Sequence, residues 1–513
     1  MKRDALLAFI LFALALWLNL SSLHVTPFHP DETRWLNRAH DIHDLTHPLG
    51  ETWRDGYLTR GQPPLGSYLI GLGLLLQGRD LATNGVWDFR FSSAWNAARG
   101  NMASPADLDA GRRTNAVVGA LTVAVVYLLG TQLSNRVSGV VAALFLADHP
   151  LMIHLSSQAL SDALVALLIA LAALAACRLA ARPTWPRTVL LGALLGLGGA
   201  TKLSPLLLAL LLAAFGVGLL AHAACTGRVA GVGACPDDPL GWRLAALPVI
   251  AAAVFVAVSP YLWPDPIDRT RNLFAFRVQE MGRQGFNWPG VAVPSRASAL
   301  HRVALTLGDQ FTLTDRLVAG ATRLGGIPWR PRGLDLLLAL VGAGVLLAGA
   351  VRAGPRSRHT LVLLTLGGEA GLVILGLRSD FARYHLPILL GVALCVGLVA
   401  GQFWVLLERR VARLHWLDRA RALIPHRLPS AGSLPTRLPL NRQSSLTAVV
   451  PTVLGRAAQL VTRAPEPHQP FSVRAELHRL SAGSVRFGRS LPPRHHPRPR
   501  PSPPVSVRPE RPA

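Results

Sequence analysis

Charged side chains are scarce in this sequence, and long apolar runs take their place. Of the 513 residues, only 16% are Asp, Glu, Lys or Arg, whereas 50% are hydrophobic and the mean hydropathy is +0.35. This composition argues against a soluble globular domain and indicates a polytopic membrane protein. Because lipid offers no hydrogen-bond partners to the backbone, the apolar runs are predicted to be helices and the fold class to be all-α.

Cysteine and lysine are both rare. The four cysteines are too scattered to predict a metal site, and they are Cys177, Cys225, Cys235 and Cys395. The only two lysines are Lys2 and Lys202, so the formal charge of +24 comes almost entirely from arginine. From residue 408 onward there are 19 Arg and 5 acidic residues, a net charge of +14. The arginine excess is attributed to overall composition, and no nucleic-acid partner is predicted.

Ten apolar segments are predicted to cross the membrane. They are residues 4–23, 114–133, 137–153, 163–181, 188–200, 205–224, 244–263, 334–351, 360–377 and 386–407. A further apolar segment, 65–77, is short for a crossing, and Pro63-Pro64 marks its start. It is predicted to be an interfacial or re-entrant helix at the outer face.

The arginines predict the orientation of these spans. If the N-terminus is cytoplasmic, four short loops that carry arginine all fall on the cytoplasmic side, as the positive-inside rule requires; they are 135–136, 182–187, 228–243 and 352–358. The two long loops, 24–113 and 264–333, then share the outer face. The chain is therefore predicted to lie in a bacterial plasma membrane with both termini cytoplasmic.

Residues 408–513 form a second region, which is basic and rich in proline. Because it has no apolar pattern able to form a core beyond a weak patch at 445–461, it is predicted to be a disordered cytoplasmic tail. Electrostatic contact between this tail and anionic membrane lipids is a modest further expectation. Residues 1–407 are predicted to form the membrane domain that carries the function.

The adjacent acids Asp31 and Glu32 are the strongest candidates for chemistry. They follow the first span directly, and the predicted orientation places them at the outer face. An alternative needs no chemistry: Pro30 opens a short helix at 33–40, and the two acids complement the positive end of its dipole. From the sequence alone both interpretations stay open.

Further polar residues collect at the predicted outer boundary. Asp162 directly precedes a span and is a plausible helix cap. Lys202 lies between two spans, and a lone lysine in an arginine-rich chain suggests a need for a compact point charge. Arg383 and Tyr384 precede the last span, where an interface anchor is the simpler explanation. Gln62 precedes the prolines that open the interfacial segment.

In their order and spacing these residues resemble the lipid-carrier-dependent glycosyltransferases of the GT-C fold. That group includes the dolichyl-phosphate-mannose protein mannosyltransferases and the aminoarabinose transferase of lipid A, and the resemblance runs from the N-terminus to about residue 405. The matching features are Asp31-Glu32, Pro63-Pro64, Arg112-Arg113, Pro150 with Ser161-Asp162, Ala200-Thr201-Lys202 and Arg383-Tyr384. Three features depart from the family pattern: Gln62, where relatives often have His or a charged residue, the long stretch 79–111, and the lack of a recognisable folded domain after the last span.

The resemblance implies a bundle of about ten transmembrane helices with juxtamembrane helices on the outer face. It also implies a reaction there, in which an acceptor hydroxyl attacks a sugar carried on a polyprenyl phosphate, with inversion. The acceptor is a protein, a lipid or a polysaccharide. Asp31 is expected to be the base, and Glu32 and Asp162 are the other candidate catalytic carboxylates.

The same resemblance implies roles for the cations. Lys202 and Arg383 are expected to stabilise the departing phosphate, with Tyr384 as a hydrogen-bond donor and Gln62 as a further substrate contact. No metal or other cofactor is expected, because the donor carries one phosphate and the protein supplies the positive charge.

A transporter or lipid flippase is the main alternative, because its outer-face charges would line a substrate pathway. Against it, the acidic and basic residues lie at the ends of the spans, and no inverted repeat is evident. An accessory subunit of an envelope complex, without activity of its own, is a weaker alternative.

Overall fold

The computed structural model describes residues 2–229, 238–308, 310, 312–326 and 333–423. In these residues the regular structure is helical, and the β-structure consists of one isolated antiparallel bridge between Ala292 and Ser379. The predicted tail, 408–513, lies outside the described residues from 424 onward.

The first nine α-helices run from the N-terminus to residue 181. They are α1 (Lys2–Ser21), α2 (Pro30–Asn37), α3 (Tyr57–Gly61), α4 (Leu65–Leu76), α5 (Ser93–Ala98), α6 (Pro105–Leu133), α7 (Arg136–Asp148), α8 (Pro150–Ser156) and α9 (Asp162–Ala181). Two 3-10 helices, Arg38–Thr46 and Glu51–Trp53, lie between α2 and α3.

The remaining helices follow in two groups. Before residue 325 they are α10 (Trp185–Gly199), α11 (Ser204–Val229), α12 (Pro239–Ala245), α13 (Leu247–Ala257), α14 (Pro266–Asn287), α15 (Arg296–Gly308) and α16 (Leu313–Leu324). After it they are α17 (Leu334–Ala353), α18 (Arg358–Val362), α19 (Gly368–Gly376) and α20 (Leu386–Leu423). A π turn, Leu363–Gly367, joins α18 to α19, and 3-10 turns lie at Pro260–Leu262, Pro289–Val291 and Ala382–His385.

Within the described residues, 8 helices are long and apolar enough to cross a membrane, or 9 if the bent pair α7 and α8 is one span. That pair bends by 64°. The remaining predicted span, 188–200, corresponds to α10, which has 15 residues. At about 1.5 Å per residue it is roughly 22 Å long, shorter than a typical hydrocarbon core. The multi-pass helical membrane architecture predicted from the sequence is confirmed.

The largest differences between predicted and observed boundaries occur at the ends of three helices. Helix α6 begins at Pro105 rather than at 114, because Ser104 accepts a hydrogen bond from the amide of Asp107 and caps a polar first turn that hydropathy overlooks. Helix α13 ends at Ala257 rather than near 263, and Pro260, which has no amide hydrogen, follows shortly. Helix α20 continues to Leu423, beyond the predicted end at 407.

The predicted interfacial segment is helix α4, and it is largely buried against its neighbours. Its 12 residues are too few for a crossing. Two of its glycines permit close packing: a Cβ on Gly71 would lie 2.3 Å from the carbonyl oxygen of Ala39, and one on Gly73 would lie 1.9 Å from Thr114 Oγ1. The helix is therefore wedged between the 3-10 helix after α2 and the start of α6.

The two long loops predicted to share one face do pack on each other. The hydroxyl of Tyr261 donates to Asp55 Oδ1 over 2.9 Å, and the rings of Tyr57 and Phe276 lie 5.6 Å apart, edge to face. Residues from 24–113 thus contact residues that flank or belong to 264–333. The ring contact packs α14 against the short helix α3.

Candidate functional site

Helix α2 is formed by local capping. His29 is the N-cap: its Nδ1 accepts a hydrogen bond from the Asp31 amide over 3.1 Å, and its own amide donates to Glu32 Oε2 over 2.9 Å. Pro30 occupies the first turn, where its missing amide hydrogen costs nothing. The capping box fixes the directions in which the two adjacent acids point.

Asp31 forms an ion pair with Arg383, and both side chains are largely buried. Arg383 lies on the 3-10 turn before α20, which the 2.8 Å hydrogen bond between Asp380 Oδ1 and His385 Nε2 holds in place. Burial by itself would raise the pKa of Asp31, but the guanidinium of Arg383 outweighs it and lowers that pKa to about 2. The resting site therefore holds Asp31 as a carboxylate.

Lys202 forms a second ion pair, with Asp162. Asp162 is the first residue of α9 and is buried, and Lys202 lies in the short turn between α10 and α11. The ammonium also sits over the ring of Tyr384, 5.3 Å from its centroid. Asp162 is thus more than the helix cap that the sequence allowed, because its carboxylate reaches the turn after α10.

Tyr384 connects the two ion pairs. Its ring lies 5.6 Å from the Arg383 guanidinium carbon, in addition to its contact with Lys202. The Tyr384 hydroxyl accepts a hydrogen bond from Arg277 Nη2 over 3.2 Å. The hydroxyl hydrogen remains available for donation. Asp31, Asp162, Lys202, Arg383 and Tyr384, all proposed from the sequence, therefore meet in one cluster, which is here called the paired-charge site.

Glu32 lies elsewhere, in a fully buried clamp. Arg112 donates to both of its oxygens over 2.8 Å, and the amides of Ala159 and His29 complete the set. The bonds from Arg112 and Ala159 fix α2 against α6 and the segment before α9, whereas the His29 bond belongs to the capping box of α2. The alternative in which an acid of this pair only stabilises the fold thus fits Glu32, whereas Asp31 faces the paired-charge site.

Gln62 lies outside the contacts of the paired-charge site. Its backbone carbonyl accepts from Arg38 Nη1 over 3.0 Å, while its side-chain oxygen is 3.5 Å from the same nitrogen. Arg38 in turn forms a buried ion pair with Asp41 at 2.9 Å, and Ser67 donates to Asp41 over 2.6 Å. This network joins the chain after α2 to α4.

Three charged residues near the site were not assigned a role from the sequence. Arg112 holds Glu32, Arg277 contacts Tyr384, and Glu369 accepts a hydrogen bond from Ser204 over 2.6 Å. A signal existed for Glu369, because an acidic residue within an apolar span is costly and usually functional. Arg277 gave no comparable signal, since it is one of several arginines in α14.

The charges of the paired-charge site and Arg277 favour an anionic ligand. Asp31 and Asp162 each neutralise one cation, Arg383 and Lys202 respectively. Arg277 forms no ion pair among the described residues and adds one positive charge beside Tyr384. A phosphate diester would balance that charge, and the two carboxylates next to it are able to take up a proton.

Comparison with known proteins identifies a related family. Residues 93–228 match the model of the dolichyl-phosphate-mannose-protein mannosyltransferase family. The chain resembles lipid-carrier-dependent glycosyltransferases, as predicted. The matched segment includes Arg112, Asp162 and Lys202, and it precedes Arg383. The helices described above confirm the expected all-α bundle of membrane-spanning segments. No curated protein shows significant sequence similarity to the chain.

Three solved structures match parts of this chain, each with a TM-score below 0.5. The oligosaccharyltransferase of Archaeoglobus fulgidus, in complex with Zn and sulfate, is 16% identical, with a TM-score of 0.46 over 81% of this chain and 52% of that one. ArnT from Cupriavidus metallidurans bound to undecaprenyl phosphate is 17% identical, with a TM-score of 0.43 over 76% and 59%. The S. cerevisiae protein O-mannosyltransferase complex bound to the sugar donor is 18% identical, with a TM-score of 0.33 over 50% and 33%. This chain thus spans about half the length of the archaeal protein.

Proposed function

We propose that this chain is a membrane glycosyltransferase that moves a sugar from a polyprenyl-phosphate carrier to an acceptor hydroxyl, with inversion. The reaction takes place at the outer face of a bacterial plasma membrane, and residues 1–407 carry it. One observation carries the proposal: the ion pairs Asp31–Arg383 and Lys202–Asp162 meet at the ring of Tyr384. A proton acceptor and cations for a phosphate are thereby placed side by side.

Asp31 is the base in this proposal. The acceptor hydroxyl gives its proton to the Asp31 carboxylate while its oxygen attacks the anomeric carbon of the sugar. The bond between that carbon and the phosphate oxygen breaks, and the electron pair leaves with the carrier phosphate. The products are the glycosylated acceptor and the polyprenyl phosphate.

The ion pair with Arg383 explains how Asp31 becomes basic enough. With a pKa of about 2, the resting carboxylate is a weak proton acceptor. A phosphate bound to Arg383 neutralises part of the charge that stabilises the carboxylate, so the proton affinity of Asp31 rises when the donor is in place. The base is therefore activated by the substrate that it serves.

Lys202, Arg383 and Arg277 stabilise the charge that develops on the leaving phosphate. Such charges count most where water is excluded, and two of the three are already held in position by carboxylates. The Tyr384 hydroxyl donates to the same phosphate. Asp162 orients Lys202, and Glu32 holds helix α2 and with it Asp31. Gln62, which lies outside the contacts of the paired-charge site, stays a proposed substrate contact, and the carrier chain lies among the membrane lipids.

The test uses the full-length protein in proteoliposomes with a panel of labelled polyprenyl-phosphate hexoses and pentoses. Envelope extract supplies acceptors that carry a free hydroxyl. We expect protein-dependent transfer of one labelled sugar and release of polyprenyl phosphate, both lost in Asp31→Asn. A transporter would instead move labelled lipid or solute across the bilayer without breaking the sugar–phosphate bond, and that result would reject the proposal.

A further inference from the structure

Glu369 is an acidic residue buried in the interior of an apolar span. It is the second residue of α19, directly after the π turn Leu363–Gly367, and its side chain is fully buried. Carboxylates at such depth are costly and usually functional, and π turns recur at functional sites. The proposed reaction, as described above, leaves this residue without a role.

The contacts of Glu369 direct it towards helix α11. A Cβ on the preceding residue, Gly368, would lie 2.5 Å from Leu211 Cδ2, so α19 packs closely against α11 at this point. Across this contact Ser204 Oγ donates to Glu369 Oε1 over 2.6 Å. The other oxygen, Oε2, is buried and has no hydrogen-bond partner among the described residues. One half of the carboxyl group is therefore anchored and the other half is unused.

Ser204 belongs to the same short turn as Lys202. The turn leaves α10 at Gly199, where the Lys202 amide donates to the carbonyl of Gly198 over 2.8 Å, and it enters α11 at Ser204. A carboxyl group on a third span thus reaches the turn that carries the single lysine of the paired-charge site.

We infer that Glu369 is a positioning residue for Lys202. It anchors the turn through Ser204, and the anchored turn keeps the Lys202 ammonium between the Asp162 carboxylate and the Tyr384 ring. The inference rests on the proposed function in one respect only: the placement serves to present Lys202 to the carrier phosphate. The placement itself is measurable without any transfer reaction.

The scarcity of lysine makes the placement directly measurable. The chain has two lysines, so in a Lys2→Arg background Lys202 and the N-terminus are the only primary amines. The labelling rate of Lys202 by an amine-selective reagent, followed by mass spectrometry on the detergent-solubilised full chain, reports how firmly the ammonium is held. The groups that contact it directly, Asp162 and Tyr384, and the nearby Arg383 are unchanged in every variant compared.

Three variants test the hydrogen bond. Glu369→Ala and Ser204→Ala each remove one of its two partners, whereas Glu369→Gln keeps an acceptor for Ser204. We expect Lys202 labelling to accelerate about three- to tenfold in Glu369→Ala, since one lost hydrogen bond is worth a factor of this order. Ser204→Ala should give a similar increase, and Glu369→Gln a smaller one.

Asp335→Ala is the matched control. Asp335 is also a buried carboxyl at the start of a span, and it too accepts a hydroxyl hydrogen bond of 2.6 Å, from Thr312. It contacts neither Lys202 nor Asp162 among the described residues. This variant should lose a similar amount of thermal stability and leave the labelling of Lys202 unchanged.

The inference is overturned if folded Glu369→Ala labels at the parent rate, or if Asp335→Ala accelerates labelling equally. In the first case the Ser204–Glu369 bond is a helix contact only, and in the second labelling follows general loosening. In the transfer assay the positioning role predicts a raised KM for the donor, with Glu369→Gln closer to the parent than Glu369→Ala. If labelling accelerates while transfer stays normal, Glu369 positions Lys202 but Lys202 does not serve the phosphate. Failure of the inference and failure of the proposed function are therefore distinguishable.

Discussion

Arg383 and Asp31 lie 352 positions apart in the sequence and form a largely buried ion pair. The pair joins the turn before the last helix to the short helix after the first span. It holds the carboxylate ionised at rest and, in the proposed mechanism, releases it when a phosphate reaches Arg383. This ion pair and the residues around it can be tested by substitution.

Asp31→Asn should lower sugar transfer by about two to four orders of magnitude, because the amide keeps the size of the side chain but cannot accept the proton. The measurement is single-turnover transfer in proteoliposomes. Asp88→Asn is the matched control: Asp88 also pairs with an arginine, Arg90 at 2.6 Å, but that pair lies in an exposed loop. Near-normal transfer by Asp31→Asn would move the base to Glu32 or Asp162.

The pH dependence should differ between kcat/KM and kcat. In the free protein Arg383 lowers the pKa of Asp31 to about 2, so kcat/KM should stay flat as the pH falls from 8 to about 4. In the donor complex the phosphate weakens that effect, and the acid limb of kcat should appear at higher pH. Arg383→Gln should raise the acid limb of kcat/KM towards the ordinary Asp range. A limb of kcat/KM near pH 6 in the parent protein would contradict this mechanism.

Glu32→Ala should cost stability rather than chemistry. It leaves Arg112 as a buried charge without its partner, and the loss of one member of a buried pair is worth about 3–5 kcal/mol. Thermal unfolding in detergent should show the loss. The rate of transfer per folded molecule should stay within about threefold of the parent, in contrast to the effect expected for base loss. A stable Glu32→Ala protein with the Asp31→Asn rate would restore Glu32 as a catalytic carboxylate.

Lys202→Arg should already impair transfer by about ten- to a hundredfold, because the broad, planar guanidinium cannot take the place of a compact ammonium between Asp162 and the Tyr384 ring. The effect should appear mainly in the KM for the donor. Lys2→Arg is the natural control, since it makes the same change at the only other lysine. Full activity of Lys202→Ala would leave Arg383 and Arg277 as the phosphate ligands.

The predicted orientation is testable with an impermeant thiol reagent on intact cells. Single cysteines are placed at two exposed positions in a background without the native cysteines. Gln279→Cys lies in α14 and should be labelled from outside, whereas Thr184→Cys lies in the arginine-bearing loop before α10 and should be labelled only after permeabilisation. The reverse pattern would invert the topology and place the paired-charge site in the cytoplasm.

The sequence by itself determined the class of protein and most of its helices. In lipid, the backbone of a long apolar run can satisfy its hydrogen bonds only by forming a helix. Hydropathy therefore located most ends of the membrane-spanning segments to within a few residues. The scarcity of charge also identified Asp31, Asp162, Lys202, Arg383 and Tyr384, because a polar side chain at the end of a span is conspicuous. Helix α6 shows the limit of hydropathy, because its first turns are polar and only its later turns form an apolar run.

Only the tertiary structure determines which of these residues contact each other. Neighbouring residues on a helix point about 100° apart, so the adjacent acids Asp31 and Glu32 must face different partners, but only the packing of α6 and α20 determines which partner each one meets. The same holds for Glu369, which meets Ser204 only because α19 packs against α11. Such partnerships join spans that are far apart in sequence, and no local pattern encodes them.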